Sequence, residues 1–169
     1  MNIALNIATS WADKIIAACA PYCDQIQVAG SIRRQRPIVH DIDIVARPAD
    51  RNGLMARIRK NGQVLESGRH NTKIILPDGL QIDFWIAEPD RRELFETIPT
   101  NYGSLLLCRT GSKEFNIWLC CKAAQKGYHW NPQWGIYHNG HCIASASEQD
   151  IFKALDTPFI PPEQREIPR

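Results

Sequence analysis

No apolar run in the 169 residues is long enough to cross a bilayer, which excludes a membrane-spanning helix. The first residues, MNIALNIATSWADK, lack a basic region ahead of an unbroken apolar core. No signal peptide is therefore expected, and the chain reads as cytoplasmic or host-intracellular and not secreted. Cysteine pairing signals are missing too. The six cysteines (Cys19, Cys23, Cys108, Cys120, Cys121 and Cys142) form no CxxC pair and no zinc-ribbon spacing, so reduced thiols are expected. Cys19, Cys23, Cys120 and Cys121 stand in apolar, helical-looking surroundings, where a free thiol behaves as a small hydrophobe. Internal repeats and low-complexity segments are absent, and the net charge is only +2.

What is present is ordinary in bulk and uneven in detail. A composition of 44% apolar and 22% charged residues suits a soluble globular core. The length fits one domain, or one domain with a small appended lobe. Residues 31–73 hold ten Arg and Lys against four Asp and Glu, whereas residues 74–169 hold nine against twelve. A basic segment of that kind suits a polyanion partner or a solvated face.

Ser10-Trp11-Ala12-Asp13 reads as a capping box that opens a helix ending near Pro21. Residues 25–29 read as a short strand. Residues 41–47 (DIDIVAR) alternate, with Ile42 and Ile44 on one face and Asp41, Asp43 and Val45 on the other. A helix is expected over residues 49–61, with Leu54, Met55 and Ile58 on its apolar stripe. Asp78-Gly79, between the alternating runs KIIL and LQIDFWI, predicts an antiparallel hairpin. Residues 90–126 read as mostly helical. The chain then returns to a hairpin, a helix over 148–155 and a proline-rich tail. His138, His141 and Cys142 invite a metal reading, but Asn139-Gly140 among them is a hairpin signal and further ligands are missing. The layout is α+β, a small mixed sheet first and a helical lobe afterwards.

In a strand, residues i and i+2 share a face. Asp41 and Asp43 therefore project together, and Asp83 repeats the arrangement with Gln81 and Trp85 as face-mates. If the two strands are neighbours, three carboxylates converge, and like charges at such range need a cation to stay ionised. Hard oxygen donors of that density suit Mg²⁺, and two such ions can activate an attacking oxygen and stabilise a leaving one. Upstream, Gly30-Ser31 follows a strand and starts a helical turn. Its backbone N–H groups, with the Ser31 hydroxyl and Arg34, would hold an anion. In the competing reading these aspartates cap turns or pair with Arg33, Arg34 and Arg36. Phosphate beside metal-binding carboxylates points to phosphoryl or nucleotidyl transfer.

On these residues the chain resembles the nucleotidyltransferase superfamily and, within it, the family X DNA polymerases. GSIRRQRPIVHDIDI is similar to that family's GS-x-RR segment followed by DxD. RTGSKEFN, from Arg109 to Asn116, resembles its YFTGS…FN segment, and AAQKGY its A-x-x-KG helix end. DIFKAL followed by PPEQRE resembles its closing signature, so the resemblance runs from about residue 25 to 166. It implies a nucleotidyltransferase palm with a small mixed sheet over residues 1–98. A small C-terminal helical and hairpin lobe over residues 99–169 would close on the incoming nucleotide. By the same resemblance, Asp41 and Asp43 hold both of two Mg²⁺ ions, for which Mn²⁺ can substitute. Asp83 holds the catalytic ion and helps activate a primer 3′-hydroxyl. Gly30, Ser31 and Arg34 would bind phosphates, Thr110, Gly111 and Ser112 would line the sugar pocket, and Asn116 would reach the base. Transfer would be in-line, with pyrophosphate leaving.

The departures from the family pattern are also legible. About 24 residues precede the palm, so N-terminal helix-hairpin-helix lobes are expected to be absent, as in the minimal enzymes of some large DNA viruses. Cys108-Arg109 replace the Tyr-Phe pair that screens against ribonucleotides, which makes them sugar-selection candidates. Cys120 stands where an arginine often touches the template, and Gln81 where an arginine can precede the third acidic residue. With Trp85 and Trp134 as stacking surfaces, these are candidates for template or primer contact. The other tryptophans (Trp11, Trp118 and Trp130) are expected in the core, and His40 is expected to flank its strand.

The expectation is a monomeric, template-directed DNA polymerase that fills short gaps in primed or gapped DNA with nucleoside triphosphates. The alternatives are a nucleotidyltransferase with another acceptor (template-independent tailing, RNA or a protein) or a non-catalytic nucleic-acid binding module. The presence of all three carboxylates speaks against the last.

Overall fold

The computed structural model describes residues 2–94 and 97–166. They fall into two compact units, Met1–Ile86 and Ala87–Arg169, each with its own apolar core. The layout is α+β, as expected. Among the described residues no helix is long and apolar enough to cross a membrane.

The first unit runs β1 (Ile3–Ala4), α1 (Leu5–Cys19), β2 (Cys23–Val28), α2 (Gly30–Arg33), β3 (Ile38–Val39), β4 (Ile42–Pro48), α3 (Arg51–Asn61), β5 (Gln63–Ser67), β6 (Asn71–Ile75) and β7 (Gln81–Ile86). Helix α1 exists because Ala8, Ala12, Ile15 and Cys19 recur on one face, and all four are buried. Ser10 lies inside this helix and not at its start, which corrects the capping-box reading. The buried stripe begins before Ser10, and burial outweighs a local cap. Pro21 ends the helix in a 3₁₀ turn. Asp50 does cap α3, accepting from the Gly53 amide at 3.0 Å, an interaction of about 1 kcal/mol.

Five strands form a mixed sheet in the order β2-β4-β7-β6-β5, in which only β4 and β7 run parallel. A parallel pair needs a crossover, and α3 with the β5–β6 hairpin supplies it. Ile42, Ile44 and Ala46 of β4, with Ile82, Phe84 and Ile86 of β7, point into the core formed with α1 and α3. The intervening residues Asp43, Val45, Asp83 and Trp85 take the opposite face. Val45 on that face is fully buried beside its register neighbours Gln27 and Trp85. The Asp78-Gly79 turn joins β6 to β7 as predicted, with Asp78 Oδ1 accepting from the Leu80 amide at 3.2 Å.

The second unit opens with a short antiparallel pair, β8 (Arg91–Arg92) and β9 (Thr97–Ile98). It continues through α4 (Tyr102–Thr110), α5 (Lys113–Gln125), β10 (His129–Asn131), β11 (Gly135–His138), β12 (His141–Ala144) and α6 (Glu148–Ala154). The stretch expected as mostly helical thus begins with strands, and its helices are two. Asn139 and Gly140, with φ of 50° and 82°, make the tight turn between β11 and β12 that the Asn-Gly pair announced. Phe115, Leu119 and Ala123 of α5 pack with Ile136, Ile151 and Phe152 in the core.

Two burial expectations need correction. Cys120 and Cys121 are exposed on α5, because Phe115, Leu119 and Ala123 define its buried stripe and leave both cysteines off it. Among the tryptophans, Trp11, Trp118 and Trp130 pack against the cores but stay half-buried. An indole is large enough to cover a core edge without entering it.

Candidate active site

The parallel register sets Asp43 of β4 directly beside Asp83 of β7, with Val45 beside Trp85 one step further on. Asp41 precedes β4 and is close enough to Asp83 to push its carboxyl upward electrostatically. Burial is the larger cause of that upward shift, and it outweighs the opposing pull of Lys73 and Gln81. Gln81 donates from Nε2 to Asp83 Oδ1 at 2.9 Å, and Lys73 Nζ lies 3.6 Å from Oδ2. Asp43 Oδ1 accepts from the Trp85 indole N–H at 3.0 Å.

Gly30 explains the position of the upstream turn. The Ala29 amide donates to the Asp43 carbonyl at 2.8 Å, which pins the end of β2 against β4. Gly30 then takes φ +59°, and a Cβ there would stand 2.2 Å from Asp43 Oδ2. Only glycine combines that backbone with that closeness. Ser31 and Arg34 follow on the α2 turn, both half-buried. His40 flanks β4 between it and β3, with Nδ1 2.6 Å from Asn2 Oδ1.

Among the described residues no three His, Cys, Asp or Glu side chains are gathered into a finished metal site. That holds for His138, His141 and Cys142 as well as for the aspartates. The donor set of Asp41, Asp43 and Asp83 still fits a hard divalent ion. It is all carboxylate oxygen, with Asp43 and Asp83 in register on neighbouring strands and the Gly30 turn packed against Asp43.

In the second unit the predicted nucleotide residues gather at the junction of α4 and α5. Thr110 is fully buried at the end of α4. Ser112 caps α5 by accepting from the Phe115 amide at 3.2 Å, and its hydroxyl donates to the Arg165 carbonyl at 2.8 Å. Asn116 donates from Nδ2 to the Cys108 carbonyl at 2.9 Å. Its buried Oδ1 has no hydrogen-bond partner among the described residues. Burial pushes the Cys108 thiol up, against the pull of Arg109. Cys120 lies one turn further along α5, at its surface. Trp134 sits apart on the hairpin, half-exposed, with the Arg91 guanidinium 5.6 Å from its ring.

Two features escaped the sequence reading. Lys73 stands opposite Asp83 because the hairpin centred on Asp78 fixes that register, so the turn position did contain the signal. Arg165 is fully buried in a two-point ion pair with Glu148, at 2.7 and 3.3 Å, and also donates to the Ile160 carbonyl. Its guanidinium lies 5.3 to 5.6 Å from the rings of Phe115, Phe152 and Phe159. Nothing local in the sequence ties residue 148 to residue 165.

The first unit is a small mixed sheet that carries carboxylates on two parallel neighbours. A crystal structure of polymerase beta from Leishmania infantum, in a ternary P/T complex, matches the chain with a TM-score of 0.76 and 20% identity. The match covers 99% of this chain and 77% of that one. Residues 105–166 match the family model of the DNA polymerase beta thumb. DNA polymerase IV of Saccharomyces cerevisiae is 41% identical over 58 residues, covering 34% of this chain and 10% of that protein. By fold the chain is similar to that polymerase beta, and residues 105–166 are similar in sequence to the polymerase beta thumb, while the chain spans about a tenth of the yeast polymerase it matches.

Proposed function

We propose that the chain is a DNA-directed DNA polymerase that extends a primer 3′-hydroxyl by two-metal nucleotidyl transfer, with short-gap repair synthesis as its task. The observation that carries this reading is the register pairing of Asp43 with Asp83, beside a glycine turn that packs closely against the Asp43 carboxylate. Asp41, Asp43 and Asp83 are the proposed ligands. Bound Mg²⁺, or Mn²⁺ in its place, would supply charge neutralisation at the attacking and leaving oxygens. Asp83 would also accept the proton of the primer hydroxyl, a role that its burial, which raises its proton affinity, supports. Gly30, Ser31 and Arg34 would orient the triphosphate. In the thumb unit, Thr110, Gly111, Ser112 and Asn116 are the proposed nucleotide residues, and Cys108 and Arg109 would set sugar preference. Gln81, Trp85, Cys120 and Trp134 are the proposed template and primer contacts.

The test is primer extension on a one-nucleotide gapped duplex with Mg²⁺, offering each dNTP and NTP separately. Wild-type protein is compared with Asp41→Ala/Asp43→Ala. Extension by the complementary nucleotide alone, lost in the double variant, is expected. Extension of a bare primer, or of no DNA at all, would transfer the proposal to another acceptor.

A further inference from the structure

We propose that Lys73 is a positioning residue that holds the Asp83 carboxylate as a built-in cation and so sets how tightly the site takes a divalent ion. This rests on the reading of Asp83 as a metal ligand. Lys73 lies on β6 in direct antiparallel register with Asp83, and its Nζ is 3.6 Å from Oδ2. The other oxygen, Oδ1, accepts from the Gln81 amide at 2.9 Å. Both oxygens of Asp83 are thus engaged, one by a neutral donor and one by a full positive charge. Lys73 cannot slide away from this place, because Thr72 and Ile74 on either side are buried on the opposite face.

Asp43 is held at Oδ1 by the indole N–H of Trp85, a neutral donor. Asp83 has an ammonium ion at ion-pair distance, 3.6 Å from Oδ2, where a metal ligand's oxygen must act. A divalent ion that approaches Asp83 has to share or displace that ammonium and meets its repulsion. Negative phosphate oxygens would cancel the added positive charge. The site then takes its ion most readily together with a triphosphate, and holds it weakly without one.

The experiment is a Mn²⁺ titration followed by electron paramagnetic resonance, with no nucleotide present. It uses the full chain as wild type, Lys73→Met, Lys73→Arg and Asp83→Asn. Lys73→Met is expected to bind Mn²⁺ about tenfold more tightly, the scale on which one nearby charge acts. Lys73→Arg, which keeps the charge, should match the wild type. Thermal melts give a second readout. Without metal Lys73→Met should melt lower than wild type, and Mn²⁺ should raise its Tm by more. Where Lys73→Met fails to fold, Lys73→Gln takes its place. Affinity in the neutral variant that equals or falls below the wild type overturns the proposal. Equal Mn²⁺ binding by wild type and Asp83→Asn would remove Asp83 as a ligand, and with it both the metal reading and the role of Lys73.

Discussion

At Gly30 a single methyl group meets two obstacles, a φ of +59° and the Asp43 Oδ2 atom 2.2 Å from where it would sit. A left-handed backbone costs an alanine about 1–2 kcal/mol, which the fold can absorb. The displaced carboxylate is the greater loss if Asp43 is the metal ligand proposed, since catalytic groups tolerate little misplacement. Gly30→Ala is therefore expected to lower kcat/KM in gap filling by about 10²-fold, with a smaller effect on Tm. Cys23 gives a pH test at the same scale. Burial, then the neighbouring Cys19 and Asp24, push its thiol up to about 11. A raised thiol favours the protonated form in the folded state, so its contribution is present below the ordinary pKa of 9.0 and is lost as pH rises towards 11. The fall in Tm over that window should be shallower in Cys23→Ser than in wild type.

At the scale of elements, the helices and tail of the second unit are joined by one buried polar cluster. Arg165 pairs with Glu148 of α6, and its carbonyl receives the Ser112 hydroxyl that caps α5. Removing one partner of a buried pair leaves an unpaired charge, at a cost of about 3–5 kcal/mol. Arg165→Met should lose that much in urea denaturation, and Arg165→Met/Glu148→Leu should recover most of it. Ser112→Ala loses a cap and a buried donor together and should cost about 1–2 kcal/mol by the same measurement. An effect near zero would mean that water replaces the hydroxyl at this turn.

For the whole molecule, the question is where the basic excess of residues 31–73 acts. If about six phosphates are neutralised, log Kd for gapped DNA should rise with log salt at a slope near 5. Fluorescence anisotropy between about 50 and 200 mM salt measures it. A flat dependence would assign those arginines and lysines to a solvated face.

Local geometry was legible wherever neighbours in the chain decide it together. The alternation in DIDIVAR and QIDFWI put the aspartates opposite the isoleucines, and Asp78-Gly79 fixed the hairpin that brings Lys73 to Asp83. Local cues misled where burial overruled them, as at Ser10, inside a helix whose stripe starts earlier. That β4 and β7 are parallel neighbours came from packing alone, since α3, β5 and β6 lie between them in the chain. Packing also chose Trp85 as the partner of Asp43, 42 residues away, and Arg165 as the partner of Glu148, 17 residues away. Periodicity tells which way a side chain points. The partner it meets depends on how separate elements pack, because an unpaired buried charge or donor costs too much to remain.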